Sequence, residues 1–200
     1  MIEQGFYFWG QWISFLELTA MLSGVAGVWL TMKQNVWCFP VGMLNVSLYA
    51  ILFFTPGIRL YADALLQCAY LGLLIYGWYM WSGKKTEKKV EAPTYMRKAE
   101  WTKAILISLP ATIILGAFLS TFTNADLAWI DSPLTVISLL AQWMIAKKKI
   151  ENWLLWIVAN SFYIPLYIYK DLPLTAFLYF LFLLLALKGW REWKQNLSVQ

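Results

Sequence analysis

Long apolar runs follow one another along the chain, and they constrain its fold more than any other feature. A run of about 20 residues, rising 1.5 Å per residue as a helix, crosses a hydrocarbon layer roughly 30 Å thick. Lipid offers the backbone no hydrogen-bonding partner, so each run is predicted to be a helix that satisfies its own backbone. The seven predicted spans are 13–32, 36–54, 60–82, 101–122, 132–147, 152–170 and 173–193.

The composition also indicates a membrane protein. Apolar residues make up 60% of the 200 residues, and only 14% are charged. A soluble domain carries about 25% charged residues, which it needs to cover its surface. The sequence therefore predicts an all-α integral membrane protein with seven transmembrane helices.

The basic residues predict the orientation of the chain. If the seven spans alternate in direction, 14 of the 16 Lys and Arg residues lie on one side, and only Arg59 and Lys170 lie on the other. Basic residues concentrate on the cytoplasmic side of membrane proteins. The prediction is a multi-pass protein of the plasma (inner) membrane with its N-terminus outside and its C-terminus cytoplasmic. Because topology accounts for the net charge of +5, no nucleic-acid partner is predicted.

The chain carries an internal repeat. Span three ends in the motif GWxxW at residues 77–81, and span seven ends in the same motif at residues 189–193. Span two carries Asn45, and span six carries Asn160 at a similar offset. The alternative is that GWxxW is an interfacial aromatic anchor that arose twice. The matched asparagines favour a repeat.

The repeat predicts the domain organisation. Residues 1–82 form the first three-helix repeat, 83–131 a cytoplasmic loop and a linker helix, and 132–200 the second three-helix repeat. A single linker helix makes the two repeats parallel, a plan found in transporters. In such transporters the substrate binds near the midplane between the repeats.

The start of span five is predicted from its capping residues. Asp131 and Ser132 precede Pro133, and this order is typical of a cap and first turn. Glu17 lies at a similar place in span one. The expected role of both carboxylates is therefore to cap the N-terminus of a helix, where the helix dipole favours negative charge.

Span six carries the strongest candidate for a binding site. Trp153, Trp156, Asn160, Tyr163 and Tyr167 are spaced by three and four residues, which places them on one helical face. Indole rings can stack on an aromatic solute, most strongly on a cationic one. Trp153 lies near the inner end of the span, so it is also a candidate for the interfacial belt.

Other spans add polar and aromatic candidates. Asp63, Gln67 and Tyr70 share a face of span three, and Asn45 and Tyr49 lie four residues apart in span two. Tyr179 of span seven is the repeat counterpart of Gln67. The asparagines can instead tie helices together, and Asp63 lies near a helix end. Amide side chains carry the donors and acceptors that a solute with amide or ribose-like groups needs.

These segments resemble one family, the PnuC-type vitamin transporters. The segments that carry the resemblance are NVSLYAILFF (45–54), LYADALLQ (60–67), IYGWYMW (75–81), WIDS (129–132) and ENWLLWIVAN (151–160). The resemblance implies that Trp153 and Trp156 stack on the substrate ring. It implies hydrogen-bonding roles for Asn160, Asn45 and Gln67.

The resemblance also implies a fold and a function. The expected fold is the three-one-three arrangement of the SWEET sugar transporters, in a homotrimer. The expected function is facilitated diffusion of a vitamin B precursor, nicotinamide riboside first, which a cytosolic kinase traps by phosphorylation. Thiamine and riboflavin transporters of the same family are the alternatives.

Two other classes of function remain as alternatives, an intramembrane enzyme and a membrane scaffold. The chain has no histidine, no HExxH or GxSxG motif and no GxxxxGK[ST] phosphate loop. No enzymatic activity, cofactor or metal site is therefore predicted. A scaffold does not explain why Trp, Asn and Tyr align on one helical face.

Overall fold

A computed structural model of the chain describes residues 4–8, 11–54, 61–82, 92–123, 127–169 and 171–198. By its internal packing the chain divides into two compact units, Met1–Val90 and Glu91–Gln200. The second unit contains the predicted linker helix as well as the last three helices. The predicted boundaries of the repeats and the linker are not tested by this division and stay a prediction.

The first unit contains a hairpin and three helices. Strands β1 (Gly5–Phe8) and β2 (Gln11–Ser14) pair in antiparallel register and lead into α1 (Phe15–Met32). Helices α2 (Cys38–Phe54) and α3 (Tyr61–Ser82) follow. Helix α2 packs against both α1 and α3.

The hairpin is a feature that the apolar runs do not predict. The first span was expected to begin at residue 13, but α1 begins at Phe15, directly after β2. The side chain of Ser14 caps the helix by accepting a hydrogen bond from the backbone N–H of Glu17 at 3.1 Å. The cap ends the strand and starts the helix within one residue.

The second unit is a chain of four helices packed in sequence order. They are α4 (Lys98–Phe122), α5 (Ala128–Ala146), α6 (Asn152–Tyr169) and α7 (Pro173–Ser198). Each helix packs against the next, and more residues are buried in α5 than in any other described helix. Before α4, Thr94 hydrogen-bonds across the α5–α6 loop to the backbone of Lys148 and Ile150. The backbone N–H of Met96 also donates to a carboxylate oxygen of Glu151 at 2.8 Å.

The predicted start of span five is wrong. Helix α5 begins at Ala128, with Leu127 at the N-cap position and no side-chain cap, and Pro133 lies inside the helix. Proline lacks an N–H, so at Pro133, the sixth residue of α5, one intrahelical hydrogen bond is missing. Asp131 still lies in the first turn, as expected.

The helices are consistent with a membrane-spanning chain. Among the described residues, α1, α4, α5 and α7 are long and apolar enough to cross a membrane, and α2 is a shorter apolar helix. Helices α3 and α6 are less apolar than these, and they carry the candidate residues Gln67, Tyr70, Asn160 and Tyr163. The parallel arrangement of two repeats stays a prediction.

Candidate functional site

The first predicted site residue, Trp153, is packed inside the second unit. Its side chain is 1% exposed. Gly189 of α7 lies so close that a Cβ there would stand 2.7 Å from the indole ring. Trp193 packs its ring edge-to-face against Trp153, with centroids 5.5 Å apart and planes at 89°.

The first unit contains the same arrangement. Phe39 of α2 lies against Gly77, where a Cβ would overlap its ring. Trp81 meets Phe39 edge-to-face at 5.0 Å and 87°. In both units the glycine and the last tryptophan of GWxxW therefore surround an aromatic side chain from the preceding helix, and we call this arrangement the aromatic contact. It favours a packing role for Trp153, whose role in ring stacking stays a prediction.

Trp156 and Asn160 lie one and two turns further along α6. Trp156 is half-buried, and its Nε1 is buried without a hydrogen-bond partner among the described residues. Asn160 is 2% exposed, and its Oδ1 likewise has no partner within the described part of the chain. A buried polar atom without a partner costs about 1–3 kcal/mol, so such atoms mark places where a ligand can bind.

The predicted tyrosines form a cluster between α6 and α7. The ring centroid of Tyr179 lies 4.7 Å from that of Tyr163. Tyr179 also stacks on Tyr167, with ring centroids 5.0 Å apart and ring planes at 19°. Phe182 meets Tyr179 edge-to-face at 5.9 Å. The structure thus brings together two predicted site residues, Tyr163 and Tyr179, in an aromatic wall above Asn160.

Two residues of α5 join this cluster, and the sequence analysis did not select them. The Tyr163 hydroxyl lies beside the side chains of Ser138 and Thr135. Ser138 also donates to the Leu134 carbonyl at 2.8 Å. Thr135 and Ser138 are three residues apart and share a helical face with Asp131, and this spacing in the sequence could have identified them.

Asn45 has a different environment from its counterpart Asn160. Its Nδ2 donates to the carbonyl oxygen of Ala20 in α1 at 2.6 Å, and Ser23 donates to the same oxygen at 2.8 Å. Tyr49, one turn further on, stacks on Phe53 at 5.8 Å. The contacts of Asn45 are those of a residue that ties α2 to α1.

The candidates of α3 are only partly described. Gln67 and Tyr70 are half-buried and three residues apart on one side of the helix. The side chain of Asp63 lies outside the described residues. The prediction that residues of both repeats share one cavity stays a prediction.

A surface depression of about 550 Å³ lies elsewhere in the second unit. Tyr95, Arg191, Lys194, Gln195 and Leu197 line it. None of them is a predicted site residue, so this depression is separate from the candidate site on α6.

Comparison with known proteins gives one family. The family model described as "Nicotinamide mononucleotide transporter" matches residues 14–195. The chain is 26% identical over 207 aligned positions to the nicotinamide riboside transporter PnuC of Escherichia coli (strain K12), covering 90% of this chain and 85% of that protein. It is 22% identical to the riboflavin/roseoflavin transporter RibM of Streptomyces davaonensis, covering 96% of this chain and 90% of the relative.

A solved structure shares the fold. The crystal structure of the vitamin B3 transporter PnuC superposes with a TM-score of 0.74, covering 92% of this chain and 83% of that one. The sequence identity in this pair is 23%. The likeness therefore supports the helical fold of the chain.

Proposed function

This chain belongs to the nicotinamide mononucleotide transporter family of multi-pass membrane proteins, and on that premise we propose that it carries nicotinamide riboside across the membrane. On α6 the buried polar atoms without a partner among the described residues include the Nε1 of Trp156 and the Oδ1 of Asn160, and this pair carries the proposal. They lie next to the tyrosine cluster, so one helical face offers ring surfaces, a donor and an acceptor. A relative of known name, the protein of Escherichia coli, carries this nucleoside.

The chemistry of the solute fits this face. Nicotinamide riboside has a flat cationic ring, a carboxamide and a ribose. A cation over an indole or phenol ring gains about 0.5–2 kcal/mol, depending on how well water is excluded. Asn160 can pair with an amide or a hydroxyl, because its side chain both donates and accepts.

Within the site we assign the residues different roles. Trp156 stacks on the ring, Asn160 hydrogen-bonds, and Tyr163 and Tyr179 form an aromatic wall. Trp153 supports the face from below through the aromatic contact. In the first repeat, Gln67 is the proposed polar contributor.

The remaining candidates of the first repeat have supporting roles in the proposal. Tyr70 and Asp63 extend the face of α3 on which Gln67 lies. Asn45 holds α2 against α1, because it donates to the α1 backbone. Tyr49 is proposed as an aromatic contributor from α2.

Riboflavin is the second candidate substrate. The relative from Streptomyces davaonensis is a riboflavin transporter and aligns over almost the whole chain. Riboflavin also combines a flat ring system with a hydroxylated chain, so the same face can serve it. Thiamine, the other alternative, is cationic and aromatic but carries a single hydroxyl.

The proposed mechanism is facilitated diffusion. The chain has no phosphate-binding loop that would make it an ATPase. Accumulation above the external concentration then requires that a cytosolic kinase phosphorylate the nucleoside after entry. We further propose an inner-membrane location with the N-terminus outside and the C-terminus cytoplasmic. We also propose a homotrimer, and a mass measurement of the detergent-solubilised protein checks this oligomeric state.

A thermal-shift panel on the purified protein tests the substrate. Nicotinamide riboside, riboflavin and thiamine are added separately, and ligand binding raises the melting temperature by mass action. We expect the largest shift with nicotinamide riboside. A larger shift with riboflavin would move the assignment to that vitamin, and no shift with any of the three would contradict the proposed function.

A further inference from the structure

Helix α5 carries a polar stripe that runs through an otherwise apolar helix. Asp131, Thr135, Ser138 and Gln142 are spaced by four, three and four residues, so they lie on one helical face. Ser138 and Gln142 are buried, at 1% and 9% exposure. Polar side chains at this depth in a membrane protein are costly and usually have a function.

The stripe has the same spacing as the candidate face of α6. In α6 the residues Trp156, Asn160, Tyr163 and Tyr167 are also four, three and four apart. Helices α5 and α6 are consecutive and packed together, joined by a short loop around Lys149. Both helices rise 1.5 Å per residue, so residues equally far from Lys149 lie at the same height.

Counting from Lys149 pairs every member of one stripe with a member of the other. The four level pairs are Gln142 with Trp156, Ser138 with Asn160, Thr135 with Tyr163 and Asp131 with Tyr167. We call this set the α5–α6 ladder.

Contacts show that the two stripes face each other at one level. The Tyr163 hydroxyl lies beside Thr135 at its own level and beside Ser138 one level away. At this end of the ladder the polar groups of α5 and α6 are therefore close to each other.

At the levels of Trp156 and Asn160, one polar atom of each of these side chains has no hydrogen-bond partner among the described residues. These atoms are the Nε1 of Trp156 and the Oδ1 of Asn160, and both are buried although Gln142 and Ser138 lie at their heights. If the ladder served only to hold the helices together, these donors and acceptors would pair with each other. A solute with its own donors and acceptors can satisfy them instead.

We infer that the α5 stripe recognises the hydroxyl-bearing part of the solute, with Gln142 and Ser138 as its contacts; this inference rests on the proposed function. Gln142 can donate to and accept from neighbouring hydroxyls, and Ser138 keeps acceptor capacity while it donates to Leu134. The aromatic face of α6 binds the ring, and α5 selects solutes that carry a sugar or polyol on that ring. None of the α5 residues except Asp131 lies in a segment on which the family resemblance rests.

A cycle of ligand and protein changes tests the inference. Dissociation constants are measured for nicotinamide riboside and for its 2′-deoxy and 3′-deoxy analogues, on the wild type and on Gln142→Leu and Ser138→Ala. Removing a hydroxyl from the ligand should weaken binding to the wild type by about tenfold. In the variant that lacks the partner of that hydroxyl, the same deletion should weaken binding less than about threefold, because the contact is already gone.

Ser161→Ala is the matched control. Ser161 lies on α6 and donates to a carbonyl one turn back, as Ser138 does on α5, but its side chain is exposed. This variant should respond to deoxy ligands as the wild type does. Gln142→Met, an apolar side chain of similar length, replaces Gln142→Leu if that variant fails to fold.

Each outcome decides between two conclusions. Two results would overturn the role of α5 and leave the proposed transport of nicotinamide riboside intact. In the first, removing a ligand hydroxyl weakens binding to every ladder variant as much as it weakens binding to the wild type. In the second, the wild type binds both deoxy ligands as tightly as nicotinamide riboside. A wild type that binds none of the three ligands would overturn the proposed function together with the inference.

Discussion

Trp153 and Trp156 differ in environment although they are three residues apart on the same helical face. Trp153 is enclosed by Gly189 and Trp193, and the ring of Phe39 occupies the corresponding place in the first unit. Trp156 is only half-buried, whereas Trp153 is fully buried; the Nε1 of both indoles is without a hydrogen-bond partner among the described residues. The first unit shows that a phenyl ring can fill the place of Trp153.

This difference predicts opposite effects of two substitutions. Trp156→Ala should weaken nicotinamide riboside binding by tenfold or more, roughly the value of a lost cation–π and stacking contact. Trp153→Phe should change the affinity by less than about threefold but lower the unfolding free energy by about 1–3 kcal/mol, because phenyl leaves part of the indole volume empty. Titration calorimetry and thermal unfolding measure the two effects.

The result that would contradict this division is a loss of affinity in Trp153→Phe as large as that in Trp156→Ala. Trp190→Ala is a control, since Trp190 is half-buried outside the tyrosine cluster and should leave the affinity unchanged.

Residue roles were harder to predict than residue positions. Asn45 and Asn160 match in the repeat, and the sequence favoured a binding role for both. The structure shows that Asn45 donates to the Ala20 carbonyl, a partner 25 residues away that no local pattern identifies. Ser138 and Thr135 were missed because small hydroxyl residues in an apolar helix are often bonded to their own backbone, as Ser138 also is.

At the scale of helices, prediction succeeded where apolar runs end at polar loops. Span two ends at Phe54 and span three at Ser82, as predicted from the change in composition. The start of α5 was misplaced because Asp131, Ser132 and Pro133 imitate a capping sequence inside the helix. The hairpin at Gly5–Ser14 was missed because its aromatic residues continue the apolar character of the first span.

The aromatic contact gives a prediction at the same scale. Gly189→Ala places a methyl group 2.7 Å from the Trp153 ring, so it should lower the unfolding free energy by about 1–3 kcal/mol. Gly77→Ala should do the same through Phe39. The measurement is thermal unfolding of the purified variants.

Gly72→Ala is the matched control for both. A Cβ at Gly72 meets no atom within 4 Å, and alanine favours a helix by about 1 kcal/mol over glycine. This variant should be as stable as the wild type or more so. Equal loss of stability at all three glycines would show that backbone effects, and not the aromatic contact, explain the result.

For the molecule as a whole, the positions of the carboxylates favour the proposed passive mechanism. Glu17, Glu100 and Asp131 lie in the first turns of their helices, where the helix dipole stabilises them, and Glu192 lies near the C-terminal end of α7. Helix-end positions of this kind are not those of a proton relay, which runs through the span.

Uptake is therefore expected to be independent of ion gradients. In cells that express the protein, ionophores that dissipate the proton and sodium gradients should change the initial rate of nicotinamide riboside entry by less than about twofold, far below the tenfold range that loss of 1.4 kcal/mol of driving force produces. Deleting the cytosolic kinase should abolish accumulation but leave the initial rate. Loss of initial entry when the gradients are dissipated would indicate ion coupling.

Counterflow in proteoliposomes tests the central claim most directly. Vesicles that contain only the purified protein are loaded with unlabelled nicotinamide riboside and diluted into a trace of labelled nucleoside, without ATP or an ion gradient. Label should accumulate transiently inside wild-type vesicles and should not accumulate in vesicles with Trp156→Ala. Wild-type vesicles that take up no more label than protein-free vesicles would contradict the proposed transport.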